Sequence, residues 1–395
     1  LVEDAVNRPN IHRMERGEYT YIWQADDWPS WRYDLAVLAR PMTAVSLAQG
    51  QLLGRLADVG MGLRSQASLG ALVQDAITTS EIEGERLDVR SVRSSLARRL
   101  GLEQGGMPPT DRAVEGVVEM VLDATANCEA PLTRERLFGW HAALFPTGFS
   151  GLHRIRVGGW RQDAEGPMQV VSGALGRQRV HFQAPPAERL EAEMERLLRW
   201  AGTEDAVPPL LKAGLGHLWL VILHPFEDGN GRIARAAGDL LLARAERSPQ
   251  RFYSLSAEIL RERKAYYDIL ERTQRGTGEV TAWLAWFLEA LGRAVAAAQA
   301  ILDGVLARHA FWQRFQGAAL NARQVRILDL LLDDFEGRLT SGKYARIAGC
   351  SQDTALRDLS DLLARGALCR SKAGGRSTAY ELAPPPAPAP DPPRG

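Results

Sequence analysis

Apolar residues recur at helical spacing through Leu69, Leu72, Val73, Ala76 and Ile77, and this run closes at Gly84, a residue favoured just past a helix end. Helical patterning continues to about residue 100 and resumes from about 112 to 300. One stretch departs from it. PMQVVSG (167–173) and RVHFQAP (179–185) are short, β-branched or aromatic segments around ALGRQ, and they predict a β-hairpin. Further on, Leu210, Leu211, Leu215, Leu218, Val221 and Ile222 mark a helix that ends before Pro225, and a second helix is expected from about Arg232.

From 320 the pattern changes again. LNARQVRILDLLLD, SGKYARIAG and SQDTALRDLSDLLARG read as three short helices, and ALCRSKAGGRSTAYEL reads as two strands around a glycine turn, the outline of a winged helix-turn-helix. The proline-rich ending APPPAPAPDPPRG can form neither helix nor sheet. A chain of 395 residues is long enough for two or three domains, and the pattern divides it into four segments. They are a helical N-terminal domain (1–110), a helical core carrying the hairpin (111–300), a winged-helix domain (301–383) and a disordered tail (384–395). The fold class is mainly α. The aromatic segment YIWQADDWPSWRYD (19–34) offers Trp23, Trp28, Trp31 and Tyr33 as anchors that hold an N-terminal arm onto a helical body.

Composition narrows the partners. Lys plus Arg equals Asp plus Glu, 48 against 48, so no global charge argues for nucleic acid or an anionic membrane. Cys128, Cys350 and Cys369 lack metal or redox spacing and read as packing residues in a reducing compartment. No run reaches the roughly 18 apolar residues of a membrane span. LVEDAVNRPN lacks the pattern of a signal segment. The expectation is a cytoplasmic protein with no membrane partner.

The chemistry concentrates in HPFEDGNGRIAR, residues 224–235. Pro225 sets His224 at the rim of the preceding helix. Gly229, Asn230 and Gly231 make a turn whose N–H groups point one way and open directly into the next helix, whose positive dipole end adds to an anion cradle. Arg232 and Arg235, three apart on that helix, suit a chain of phosphates. Asp228 at the lip supplies the single carboxylate that a nucleotide-bound Mg²⁺ requires. An imidazole beside a polarised phosphate can take the proton of an attacking hydroxyl, so the reaction class is phosphoryl or nucleotidyl transfer. The chain contains no GxxxxGK[ST] and no kinase signature.

The segment resembles the signature HxFx[DE]GNGRxxR of the Fic (Fido) family at every fixed position. The resemblance implies an all-helical Fic core with a β-hairpin flap and transfer of AMP from ATP to a hydroxyl of a target protein or of the enzyme itself, with release of pyrophosphate. It implies that His224 is the general base, that Asp228 holds Mg²⁺ and that Gly229, Asn230 and Gly231 form the anion hole. Arg232 would bind phosphate and Arg235 the γ-phosphate, with Ile233 and Ala234 between them in the ATP-binding segment. Val221, Ile222 and Leu223, with Glu262 and Tyr266 of RERKAYY, would wall the adenosine end. Some relatives move other groups or remove AMP.

TSEIEG, residues 79–84, fits the Fic inhibitory pattern [ST]xxxE[GN] through Thr79, Glu83 and Gly84. A carboxylate at a helix C-terminus is disfavoured unless a cation lies nearby. The resemblance implies that this cation is Arg235, which Glu83 would deny to the γ-phosphate. A close pair near a surface is worth up to about 4 kcal/mol before desolvation is subtracted.

The hairpin offers a strand edge on which a target segment could pair through main-chain hydrogen bonds. The C-terminal domain raises a second function, a DNA-binding regulator. Ser351 would cap the recognition helix, with Arg357 exposed and Arg370, Lys372 and Arg376 on the wing. Asp353, Asp358 and Asp361 on that helix weaken attraction to phosphate, which leaves docking to protein, or formation of a homodimer, as the competing role.

Overall fold

The computed structural model describes residues 20–102, 112–164, 166–173, 177–203, 206–332, 335, 338–371 and 378–384. The chain divides into two units, residues 1–299 and 300–395. LVEDAVNRPN, the tip of the hairpin turn (174–176), the proline-rich residues beyond 384, and the wing residues Lys372 and Arg376 lie outside the described residues.

The first unit begins with a single 3-10 turn, Ile22–Gln24, whose Gln24 side chain accepts from the Thr20 and Tyr21 amides, each at 2.9 Å. Three helices follow: α1 (Leu35–Ala57), capped by Asp34; α2 (Met61–Ile82); and α3 (Val89–Arg99), capped by Asp88. As the sequence predicts, α2 stops at Glu83, and Gly84 turns the chain with φ +88°.

Helices α4 (Arg112–Ala126) and α5 (Arg134–Leu144) cross at Gly116, where a Cβ would lie 1.8 Å from the Ala143 carbonyl oxygen. A two-residue pair, β1 (Phe149–Ser150) and β2 (His153–Arg154), precedes the expected hairpin. That hairpin is β3 (Gln169–Ser172) and β4 (Arg179–Gln183), antiparallel, with a register shift between Val170 and Val171.

Next come α6 (Ala187–Gly202), α7 (Pro209–Leu223) and α8 (Asn230–Glu246). Helix α7 is apolar around its whole circumference, and Leu211, Leu215, Leu218 and Ile222 are all 0% exposed. That pattern marks a central helix. It packs along α8, with Leu241 seated against Gly216, where a Cβ would come within 2.5 Å of Leu241 Cδ1. Helix α8 starts two residues before the expected Arg232, because Gly229, at φ +79°, already serves as its N-cap.

Helices α9 (Leu255–Arg261), α10 (Arg263–Gln274) and α11 (Thr281–Arg314) complete the run. Helix α11 corrects one expectation: it is long and apolar enough to cross a membrane by length and composition. Its first turns are nevertheless core, with Trp283, Leu284, Phe287, Leu288, Leu291 and Val295 at 0% exposure. The aromatic arm behaves as anchors. Trp28 and Trp31 pack edge-on against each other and against Trp219 of α7, and the Trp28 indole donates to Glu193 at 3.0 Å.

The second unit contains α12 (Ala322–Leu332), α13 (Ser341–Ala348) and α14 (Gln352–Ala364), then the antiparallel pair β5 (Leu368–Arg370) and β6 (Tyr380–Leu382). Ile327, Leu328, Tyr344, Leu359 and Leu362 form its core. Ser351 caps α14 by accepting from the Thr354 amide, and Arg357 is exposed. The acidic face expected on α14 is only partly a surface feature. Asp358 is 7% exposed and accepts from Asn321, Arg323 and Tyr344, and Asp361 accepts from Gln324 and Arg365. Partial burial works against the Asp358 charge, but these hydrogen bonds outweigh it and hold the carboxyl below its usual range. The polar period of the sequence could not separate an internal carboxylate from a solvated one.

Candidate active site

The site forms where α7 gives way to α8. His224 caps α7 with a left-handed backbone, φ 47°, an uncommon conformation for a residue with a Cβ. Three contacts hold it there. The Leu220 carbonyl accepts from the His224 amide at 3.0 Å, and the His224 carbonyl accepts from Arg161 Nε at 2.8 Å. The backbone amide of Arg161 donates to the Pro225 carbonyl at 2.9 Å. Arg161 is 2% exposed and also binds Asp163 and the Pro185 carbonyl. It is a brace that nothing in the local sequence of 155–163 announces.

The His224 ring is 5% exposed, and its Nδ1 lies 3.3 Å from the Val221 carbonyl oxygen. This contact favours the tautomer with the proton on Nδ1, which leaves the basic lone pair on Nε2.

Asn230 closes the turn. Its side chain accepts from the Phe226 amide at 2.9 Å and donates to the Phe226 carbonyl at 2.8 Å. The amide is therefore spent on the loop, and the anion-binding capacity rests on the backbone N–H groups of the first turn of α8, which lack intrahelical partners. Gly229 is required twice over, since its φ is positive and a Cβ would lie 2.8 Å from Phe145. Half-buried Asp228 accepts from the Gly229 amide at 2.5 Å and from the Ser150 hydroxyl. Among the described residues no group of three His, Cys, Asp or Glu side chains could hold a metal. A lone, pre-oriented carboxylate fits a cation whose other ligands are phosphate oxygens and water, not a closed protein cage.

Both arginines are engaged by the segment that ends α2. Arg235, with its side chain 3% exposed, donates to the Thr79 hydroxyl and the Thr79 carbonyl, each at 2.8 Å, and to Glu83 Oε1 at 2.5 Å. Burial works against the Arg235 charge, but Glu83, Tyr266 and Tyr267 outweigh it and hold the guanidinium above its usual range. Arg232, equally buried, lies over the Phe145 ring at 5.1 Å and donates from Nη1 to Glu85 Oε2 at 2.7 Å. The charge of Glu85, two residues past Glu83, was the only sequence signal of that second contact.

Glu83 does more than pair with Arg235. A Cβ on Gly231 would meet Glu83 Oε1 at 2.2 Å, so the carboxylate rests directly on the glycine turn.

A cavity of ≈ 190 Å³ opens beside these groups, lined among others by Glu83, His224, Gly231, Arg235, Tyr266 and flap residues Val170, His181 and Phe182. It is smaller than the ~300–1,000 Å³ of typical small-molecule sites. Of the residues expected at the adenosine end, Val221 and Tyr266 line the cavity. Tyr266 is also core, 2% exposed, and shares a hydrogen bond with His217 at 2.9 Å. Ile222, Leu223, Ile233 and Ala234 are buried in the α7 and α8 core. Glu262 is not brought to the cavity lining: it caps α9 and pairs with Arg293 at 2.6 Å. On α10, Glu271 does line the cavity, and it binds His181 Nδ1 at 2.7 Å while Ser172 bonds the other ring nitrogen, tying the flap to α10.

Comparison with known proteins agrees with this geometry. Residues 131–242 match the Fic/DOC family, and residues 21–102 match a domain of unknown function, DUF4172. A protein adenylyltransferase Fic of Nematostella vectensis is 37% identical over 25% of this chain and 22% of its own length. A uridine 5'-monophosphate transferase of Xanthomonas campestris is 33% identical over 29% and 22%. Protein adenylyltransferase fic-1 of Caenorhabditis elegans is 25% identical over 42% and 31%. The chain thus spans less than a third of the length of these curated relatives. Among solved structures, it is similar to a Fic family protein from Desulfovibrio desulfuricans G20, at 19% identity over 87% of this chain and 96% of that one, TM-score 0.47. Residues 131–242, which include the helix junction that carries the motif, are thus a Fic/DOC family domain.

Proposed function

We propose that the chain is a protein adenylyltransferase, moving AMP from ATP to a hydroxyl of a target protein or of itself, and that Glu83 holds it inactive at rest. The observation that carries this reading is the convergence of His224, the glycine turn and buried Arg235 on one cavity, with a carboxylate of the chain's own resting where an anionic ligand would bind, and with Arg232 on the same helix held by Glu85.

In the active state the triphosphate replaces the Glu83 carboxylate over Gly231, and Arg232 and Arg235 bind its oxygens. Asp228 would hold Mg²⁺, which would offset the charge of the phosphates. The acceptor hydroxyl gives its proton to His224 Nε2 as its oxygen attacks the α-phosphorus. The bond to the bridging oxygen breaks and pyrophosphate leaves.

The flap supports a docking mode for the target. The outer side of β4 is occupied by Trp23 and Arg275, which donate to its carbonyls. β3 has only β4 as a neighbour in its two-stranded sheet. A target segment would therefore pair on β3.

The relative named as a uridine 5'-monophosphate transferase makes the base the point to settle. Glu83→Gly protein is incubated with α-labelled ATP or α-labelled UTP in a cell lysate. Label on protein from ATP supports the reading. Label from UTP alone would change the transferred group, and none from either nucleotide, with ATP binding demonstrated, would overturn transfer.

A further inference from the structure

The flap is fastened from outside by residues far away in sequence. The Trp23 indole donates to the Gln183 carbonyl at 2.7 Å, and the Tyr21 ring meets Phe182 edge-on at 5.2 Å. Arg275, at the end of α10, donates to the Val180 and His181 carbonyls at 3.2 and 3.1 Å and lies over the Tyr21 ring at 5.6 Å. On its other side Trp23 is covered by Arg189 of α6, at 5.5 Å. Tyr21 and Trp23 are 9% and 7% exposed, so the segment is packed down and not a loose arm. The Gln24 side chain, accepting from the Thr20 and Tyr21 amides, fixes the turn that presents both rings.

These contacts bear on the site because β4 carries two of the cavity's walls. His181 and Phe182 line it, and Phe182 is the residue that Tyr21 touches. An isolated two-stranded hairpin is at best marginally stable. Its position over the cavity therefore depends on what holds its outer side, and among the described residues the same contacts leave β3 as the flap edge available for strand pairing.

We propose that Tyr21 and Trp23 are positioning residues of the active site, a strap that holds β4 over the nucleotide cavity and so fixes the base end of the site and the edge offered to a target. The inference rests on the nucleotide reading of the cavity. It gives the N-terminal region of unknown function a role at two places. Its first residues hold the flap, and its residues at the end of α2, 79 to 85, engage the two arginines.

The test uses the full chain carrying Glu83→Gly, so that the cavity is open to ATP. Trp23→Phe keeps a ring but removes the indole donor. Tyr21→Ala removes the ring, and Tyr21→Phe keeps it. Amide hydrogen exchange is read in β3 and β4, with α4 and α5 as internal reference, and ATP affinity is read by calorimetry. Trp23→Phe and Tyr21→Ala are expected to speed flap exchange by roughly five- to tenfold, the factor given by loss of one hydrogen bond or a comparable contact. They should weaken ATP binding by a similar factor, raising KM for ATP more than they lower kcat. Tyr21→Phe should behave as the parent.

Unchanged flap exchange in both variants, or acceleration equal in α4 and α5, would overturn the strap. If flap exchange and ATP affinity respond while no nucleotide is transferred to any protein, the strap stands and the adenylyltransferase reading falls.

Discussion

The Glu83 carboxylate rests on the α-carbon of Gly231, so close that a Cβ there would lie 2.2 Å from Oε1. On the proposed function, Glu83 would take two things from an incoming triphosphate at once: a charge partner in Arg235, and the space above the glycine turn. A substitution that shortens this side chain should act on both. Glu83→Gly leaves a buried arginine without its carboxylate, which costs about 3 kcal/mol when a partly buried pair loses one member. Mg–ATP should return much of that stability, since it binds the folded state alone. In a thermal unfolding series, the wild-type midpoint should scarcely respond to Mg–ATP, and that of Glu83→Gly should rise with concentration.

The steric part can be isolated from the electrostatic part. Gly231→Ala in the wild type forces the Glu83 carboxylate aside and should cost about 1–3 kcal/mol. In Glu83→Gly the nearest atom left to the new methyl is Arg235 Nη1, at 3.1 Å on a flexible side chain, so the cost should fall below ~1 kcal/mol. A double-mutant cycle from urea unfolding measures the difference.

Glu85 provides a second hold, on Arg232. Its side chain is 47% exposed, so the pair is worth at most about 1 kcal/mol. Glu85→Gln should therefore tighten ATP binding by no more than roughly fivefold. The gain should appear in the Glu83→Gly background, where the glycine turn is open, and be small in the wild type. Calorimetric titration of the four proteins checks both statements.

Buried titratable groups predict a stability maximum near pH 6.5. His141 and His217 are pushed down, by burial, to about 4 and about 3 from an ordinary 6.5. They contribute stability that is complete above 6.5 and is lost as pH falls toward 4. Asp239 is pushed up to about 8 by burial and by the neighbouring Asp75 carboxylate. Its contribution is complete below 3.8, the ordinary value, and is lost as pH rises through 8. Each proton difference tilts the curve by roughly 1.4 kcal/mol per pH unit. Denaturation midpoints between pH 5 and 9 should peak near 6.5, and Asp239→Asn should flatten the alkaline side.

The helices, the hairpin and the motif junction were legible because each has a local cause: α7 in its continuous apolar surface, the end of α2 in Gly84, the turn in Gly229. The C-terminal three helices and strand pair followed from the same periodicities. What escaped was produced by distance along the chain. Arg161 braces the His224 carbonyl from 63 residues away. Trp23 reaches Gln183 across 160. Neither contact leaves a period or a motif. The resemblance implied Glu262 at the cavity, whereas Glu271, further along α10, lines it, because Glu262 falls at the junction of α9 and α10 and pairs with Arg293. Likewise Asp358 is internal in a helix whose pattern reads as polar on that face.

The central claim is that this site transfers AMP and that Glu83 restrains it. The most direct measurement is incorporation of α-labelled ATP by three proteins side by side: wild type, Glu83→Gly, and Glu83→Gly with His224→Ala. The account predicts little label with the wild type, strong label on protein with Glu83→Gly, and its loss with the double variant. Equal label from the wild type and Glu83→Gly, or label that survives His224→Ala, would contradict it.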